Sequence, residues 1–329
     1  LANSKVQLIA HSEIHYEYSM NCITKLHLLL QQLPLKLNSD NITLDHIDEL
    51  IVEASSALEE YNDWLDNYYL KLENKDFPQS LDLQTQGFYH YTGGKYLADY
   101  VHEMARKKLI PIQDRLFSLT LPAYLIENDE PVWLDRADTL EVIQWTINEI
   151  YNNPKNKIRN DEVLSQFYES LTAIEKYCFT NRLLPNRKNK TVQLEFIPEY
   201  NKSNLPVILF NYHPKKVEKD ILFMVRPPEN EYGDYFLIKQ EIDILNALNI
   251  LPGYGTQLGY SQNQSSIIRY LCPNTLIASG WQYYGLNMLF EDGFRDWGQE
   301  YQILRLKLEL SIVAHTIMEM KYFLTKLVY

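Results

Sequence analysis

Cysteine is scarce in this sequence: Cys22, Cys178 and Cys272 are the three thiols in 329 residues. They are far apart and odd in number, and no CxxC pair occurs. A disulfide framework and a thiolate zinc site are therefore both unsupported, and buried thiols are the simplest reading. Long apolar runs are missing too. None approaches the roughly 20 residues needed to cross a bilayer, and the longest helical stretches carry charges throughout. Basic charge is in deficit, with 31 Lys and Arg against 43 Asp and Glu and a net charge of −12. Such a surface repels phosphate backbones over most of its extent, which argues against a dedicated nucleic-acid binder. What is abundant is core-forming material: 46% of residues are hydrophobic and 13% aromatic, enough to exclude a disordered chain. The chain opens on Leu1 rather than methionine. The natural start is expected upstream, with room for a removed signal or lipoprotein segment, while the missing disulfide pattern leans toward the cytoplasm.

No internal repeat and no linker rich in Pro, Gly or Ser divides the chain, so 1–329 reads as a single domain in three parts. The first part, 1–182, is helical. Leu28, Leu29 and Leu30 follow a polar, aromatic start, and Ile47, Ile51, Ala54 and Leu58 recur at helical spacing between Asp45 and Leu70. Residues 79–86 read as a loop after Pro78. A helix over 95–117 is expected to kink or break at Pro111. Two more helices span 135–151 and 161–181, with Asp161 as the expected cap of the second. Between 190 and 227 the pattern changes. Val192, Leu194 and Phe196 alternate with Gln193 and Glu195, and two further short runs, 206–212 and 220–225, complete what reads as a small antiparallel sheet. Helices resume over 233–329: about 235–250, 275–290 with a stop at Gly293, and 300–329, where LRLKLEL alternates like a strand but length and later spacing favour a helix.

Gly253, Gly255 and Gly259 form GxGxxxG. A dinucleotide fingerprint needs a strand before it, a helix after it and an acidic residue about 20 positions on. Here Pro252 and a helix precede it, and residues 270–278 contain no Asp or Glu. The glycines read instead as a broken helix with close packing.

The same region resembles a bacterial zinc-peptidase-like family, catalogued as domain of unknown function 885, whose hallmarks are H-E-x-x-P-G-H-x-x-Q and, some way on, E-G-W-A-L-Y. The first motif corresponds to Leu248, Asn249, Ile250, Leu251, Pro252, Gly253, Tyr254, Gly255, Thr256 and Gln257. The second corresponds to Ser279, Gly280, Trp281, Gln282, Tyr283 and Tyr284, and Glu291 and Gly293 fall where an acid and a glycine are expected. Arg269 and Asn274 fit the pattern between the motifs, and Pro198, Tyr212 and Pro214 resemble the family's small sheet. The match covers roughly residues 160 to 325. It implies a zincin-like helical scaffold with a central cleft.

In such a family, two His and a Glu hold a catalytic zinc and leave one position for water, and a second Glu is the base. His residues six apart lie about 120° apart around a regular helix, so the intervening Pro-Gly has to deform the backbone. Here the Pro-Gly is kept and the chemistry is not. The two His positions are Leu248 and Tyr254, the Glu ligand is Ser279 and the base is Asn249. Leu cannot bind a metal, and neutral Ser and Tyr are poor zinc ligands. The resemblance thus implies no metal and no cofactor. On the last helix the family's two Arg, Asp and His correspond to Ile312, His315, Glu319 and Phe323, of which only Glu319 keeps its charge type.

Other constellations are weaker. His11 and His15 are spaced to share a helix face, without a third ligand; His102-Glu103 lacks the second His of a zincin motif. No G-x-S-x-G elbow occurs. Ser279 with His315 or Glu319 would make a nucleophile and base if the last helix passes the pocket. Tyr254, Tyr260, Tyr283 and Tyr284 gather beside Trp281, offering flat walls with polar tips for an organic ligand, or simply core.

The expected protein is mainly α with a small antiparallel β-sheet. Its former active-site cleft is expected to bind a small organic molecule or peptide through Asn249, Tyr254, Gln257, Ser279, Tyr283 and His315. Two alternatives stand beside this. One is a metal-independent cyclase, lyase or isomerase using Tyr254, Ser279, Tyr283, His315 and Glu319. The other is a helical interaction module with a filled cleft.

Overall fold

The computed structural model describes residues 13–39, 45–70, 88–89, 92–128, 136–184, 192–197, 208–211, 221–225, 237–262 and 275–325. The 79–86 loop, His11, Arg269, Cys272 and Asn274 lie outside them, as does the side chain of His15. The chain forms two compact units, Leu1–Leu83 with Ile197–Leu205, and Gln84–Phe196 with Pro206–Tyr329.

The first unit pairs helix α1 (Glu13–Ser39) with α2 (Ile47–Leu70). Ile23, Leu58 and Leu65 are buried, and the Tyr16 hydroxyl donates to the Asp66 carboxylate. On α2, Trp64 stacks on Tyr61 and Tyr68, three and four residues away, with ring centres 5.6 and 5.1 Å apart.

The second unit begins with α3 (Ala98–Glu127) and α4 (Arg136–Asn152). Helix α3 does not stop at Pro111; it continues through Pro111 and Pro122 to Glu127. A proline inside a helix costs roughly 3 kcal/mol, and burial offsets it. Ile112, Leu116 and Thr120 face inward, and the last helix, α9 (Gln299–Thr325), lies along α3 with Ile303, Leu304, Leu306, Val313 and Met320 buried. The LRLKLEL stretch is thus helical, its alternating look produced by a half-buried face.

After α4, a short 3₁₀ turn at Asn160–Glu162 leads into α5 (Val163–Thr180). Asp161 does not cap α5. The N-cap is Glu162, without a side-chain bond, and Asp161 pairs instead with Arg159 at 2.9 Å on the exposed surface. Phe167, Ile174 and Cys178 on α5 have no solvent exposure. Burial, helped by the charges of Asp292 and Glu175, pushes the Cys178 thiol up to about 12.

Strands β1 (Val192–Phe196), β2 (Ile208–Asn211) and β3 (Ile221–Val225) form one sheet in the order β1-β3-β2. The sheet is mixed, not antiparallel: β1 and β3 run parallel, with Leu194 opposite Phe223, and only β2 and β3 are antiparallel. The most apolar run, β3, takes the centre, where both neighbours cover it; Phe223 and Val225 are fully buried. Three short runs bounded by turns reveal strands but not which of them is central, and that choice sets direction.

Helices α6 (Lys239–Asn249), α7 (Tyr254–Gln262) and α8 (Thr275–Asp292) follow. Gly293, at φ 86°, ends α8 in the left-handed conformation as expected, and a second 3₁₀ turn, Phe294–Trp297, leads into α9. Among the described residues no helix is long and apolar enough to cross a membrane.

Helix α6 is amphipathic yet buried on several sides, and its polar residues sit three apart. Gln240 Nε2 donates to Asn156 Oδ1 (2.9 Å) and Glu300 Oε2 (2.6 Å). Asp243, only 1% exposed, accepts from the Tyr301 hydroxyl at 2.5 Å and faces Arg295 Nε at 3.4 Å. Asn246 Nδ2 donates to Phe167 O and Ser170 Oγ, both at 2.9 Å. Asn249 accepts from Gln282 Nε2 at 3.3 Å. Each ties α6 to a different neighbour.

Two outcomes follow. Asn246→Ala strips partners from a fully buried pair and should cost about 2–3 kcal/mol in urea unfolding, against less than about 1 kcal/mol for half-buried Asn249→Ala. Cys178 should resist alkylation by iodoacetamide at about pH 8 in the native protein and react once denatured; modification of the folded chain at Cys178 would contradict its burial.

Candidate functional site

The site region lies where α6, α7, α8 and α9 of the second unit meet. At the end of α6 the chain folds back over the helix. The N–H groups of Ile250 and Leu251 both reach Asn246 O, at 2.8 and 3.0 Å, and that of Gly253 reaches Ala247 O at 2.9 Å. The Leu251–Pro252 peptide is cis. A Cβ at Gly253 would stand 1.8 Å from Leu248 O, and one at Gly255 would stand 2.7 Å from Ile250 O and 3.2 Å from the Phe223 ring. Both glycines are there because backbone occupies the side-chain space. The turn is the close-packed helix break the sequence suggested.

Helix α8 closes on this turn from the other side. Trp281 Nε1 donates to Pro252 O at 2.9 Å, Gln282 holds Asn249, and a Cβ at Gly285 would press on Pro252 and Gly253 backbone at 3.0–3.1 Å. The two motifs are therefore joined in space by Asn249–Gln282, Pro252–Trp281 and Gly253–Gly285.

The next face of α8 meets α9. Arg305 Nη1 donates to Asn287 Oδ1 at 2.9 Å, the guanidinium lies 5.1 Å from the Phe290 ring centre, and Glu309 is 3.7 Å away. The Tyr283 hydroxyl is buried without a hydrogen-bond partner. Burial first, and the Glu309 charge second, push its pKa well above the ordinary phenol value, with Arg305 opposing. It stays protonated, a donor and not a base. Thr256 Oγ1 and Gln257 Oε1 on α7 are likewise buried and unpartnered. The half-buried Tyr254 hydroxyl is also raised by burial.

The remaining candidates stand apart. Ser279 is exposed near the start of α8, and Glu319 is exposed on α9. His315 is exposed, its Nδ1 2.7 Å from Ser311 O one turn back. Among the described residues no hydrogen bond joins Ser279 to His315 or Glu319. His315 lies ten residues beyond Arg305, roughly 15 Å further along α9 and about 80° around it. Tyr260 and Tyr284 point to solvent, Tyr284 tilted against Trp281 with ring centres 5.4 Å apart. Asn249 spends its amide on the protein, Nδ2 donating to Leu245 O at 2.9 Å while Oδ1 accepts from Gln282. Among the described residues no three His, Cys, Asp or Glu side chains gather closely enough to hold a metal ion.

Sequence reasoning missed Gln282, Asn287, Arg305 and Glu309. The last two had a signal, an oppositely charged pair four apart inside a helix, but the alignment had placed the relevant part of α9 nearer its C-terminal end.

No family model matches the chain, and no curated protein does either. Two solved bacterial structures share its fold, each described as a "putative lipoprotein". The one from Shewanella oneidensis, of unknown function, superposes with a TM-score of 0.66 at 19% identity, covering 90% of this chain and 53% of its own. The one from Colwellia psychrerythraea gives a TM-score of 0.66 at 13% identity, covering 85% and 48%. The chain thus spans about half the length of each, and likeness at these identities establishes the fold alone.

The glycine contacts carry a graded expectation. Gly253→Ala forces the backbone off Leu248 and should cost about 3 kcal/mol or more, whereas Gly285→Ala needs a shift of tenths of an ångström and should cost about 1–2 kcal/mol. Equal, small losses in urea unfolding would show that this turn is not packed as described.

Proposed function

We propose that the second unit carries a zinc-peptidase-like, zincin-like scaffold whose metal ligands have been replaced, and that the α7–α8 junction now binds an organic ligand, a small molecule or a peptide. One observation carries this reading. The backbone frame around the two motifs is tightly specified, with no space for a Cβ at Gly253 and with Trp281 and Gly285 fixed on Pro252, while the four reactive positions hold Leu248, Asn249, Tyr254 and Ser279. Leu248 has no lone pair to offer, and the Asn249 amide has no basic group. Hydrolysis by a metal-bound water has no ligand set here.

Binding has better support than turnover. Exposed Ser279 shares no hydrogen bond with His315, so it has no base there to activate it as a nucleophile. The Tyr283 hydroxyl and the Gln257 carbonyl, buried and unpartnered, offer one donor and one acceptor, the kind of group that a ligand's amide or hydroxyl satisfies.

Metal analysis of purified, untagged protein tests the first half: zinc should stay below about 0.1 equivalents, and stoichiometric zinc lost on Tyr254→Ala overturns the reading. Tyr283→Phe tests the second. Removing a buried, unsatisfied hydroxyl should leave the free protein unchanged or stabilised by up to about 1 kcal/mol. A comparable loss of stability would mean that the hydroxyl already serves the protein's own structure.

A further inference from the structure

A concavity lies at the far end of α8 from this junction. It is a cleft of about 570 Å³ bounded by the end of α8, the 3₁₀ turn 294–297, the first turns of α9 and Arg115 of α3. Its floor is aromatic: Phe290 stacks on Trp297 with ring centres 3.5 Å apart. Its walls are charged, with Arg115 and Arg305 of one sign and Glu291 and Asp296 of the other.

These charges are not spent on each other. Among the described residues, Arg115, Glu291 and Asp296 form no ion pair. Arg305 is mostly buried; its Nη1 donates to Asn287 at 2.9 Å and lies 3.7 Å from Glu309, and its Nε is buried with no partner. Exposed Arg115, which forms no ion pair among the described residues, and the Arg305 guanidinium on the same cleft together favour a carboxylate. The backbone adds to the same polarity. The C-terminal end of α8, which favours a cation, abuts the cleft at Glu291.

We infer that this cleft binds a small zwitterion of the amino-acid type, its carboxylate on Arg305 and Arg115 and its ammonium toward Glu291 and Asp296, with the apolar part over Phe290. The inference stands apart from the α7–α8 reading, since it does not use Tyr254, Gln257 or Tyr283.

The test is calorimetric titration of the folded chain with each of the twenty free α-amino acids, then with the carboxyl-amidated and N-acetylated forms of the best binder. At least one amino acid should bind with Kd below about 1 mM, and blocking either end should weaken it about tenfold or more. Arg115→Gln and Glu291→Gln, both on exposed side chains that leave the core intact, should each weaken it by a similar factor. The proposal fails if no amino acid binds at up to about 10 mM. It also fails if blocking only one end matters, which would mark a plain anion or cation site, or if both variants bind like the parent.

Discussion

The second unit depends on a single awkward requirement: helix α6 is buried with its polar side chains still on it. Gln240, Asp243, Asn246 and Asn249 recur every third residue, a spacing that winds slowly around a helix and presents each to a different neighbour. A buried amide without a partner costs about 1–3 kcal/mol and a buried carboxylate more. The neighbours must therefore arrive in the right places. The segment after α4 and the start of α9 meet Gln240, Tyr301 meets Asp243, α5 meets Asn246, and α8 meets Asn249. Apolar packing around Phe167, Ile242 and Leu286 supplies most of the favourable energy, but hydrophobic contact is undirected. The polar row selects one arrangement of helices among the many that would bury the same area.

This places the candidate site on a firm base. The turn that folds back over α6 takes its hydrogen bonds from the backbone carbonyls of Asn246 and Ala247, so any shift of α6 moves Pro252 and Gly253 with it. Helix α8 is fixed to that same turn through Trp281 and to α6 through Gln282. A frame held this way stays in place whatever side chains occupy Leu248, Tyr254 and Ser279. Its architecture and the chemistry of its side chains are separable.

Much of the fold was legible in the sequence. Helical periodicity located α2 through Ile47, Ile51 and Leu58, the stop at Gly293 ended α8, and the mainly helical class with a small sheet followed. Failures cluster where tertiary contacts overrule local signals. Pro111 breaks helices in isolation but not where α9 covers α3. Asp161 looks like a cap but finds Arg159 nearer. Strand direction was hidden because β3 becomes central only once its neighbours pack on it. The site was half legible: the close-packed turn at 252–253 was readable from the glycines, whereas its partners Gln282 and Gly285 on α8 and the placing of α9 were not. A helix offers several equivalent registers, and Arg305 and Glu309, not His315 and Glu319, face α8. The polar row on α6 reads as a solvent face in sequence, because nothing local shows that neighbours bring partners to Gln240 Nε2, Asp243, Asn246 Nδ2 and Asn249, while Gln240 Oε1 and Asn246 Oδ1 stay buried and unpartnered.

The same row reaches further than the motif turn. Between α8 and α9 the backbone takes positive φ at Gly293, Arg295 and Asp296, 86°, 55° and 52°. For the two non-glycine residues this costs roughly 1–2 kcal/mol each. Such a turn persists only where its surroundings over-determine it. Here Trp297 is stacked on Phe290 and bonded to Leu289 O at 3.0 Å, and the Tyr177 hydroxyl donates to Asp292 O at 2.6 Å. Arg295 is drawn inward to Asp243 of α6. With Arg295 reaching toward Asp243, Asp296 lines the charged cleft. Strain, aromatic stacking and a buried carboxylate thus converge on the turn 293–297, of which Gly293, Asp296 and Trp297 wall the cavity. A chain that needed only to connect two helices would have had no reason to hold them so.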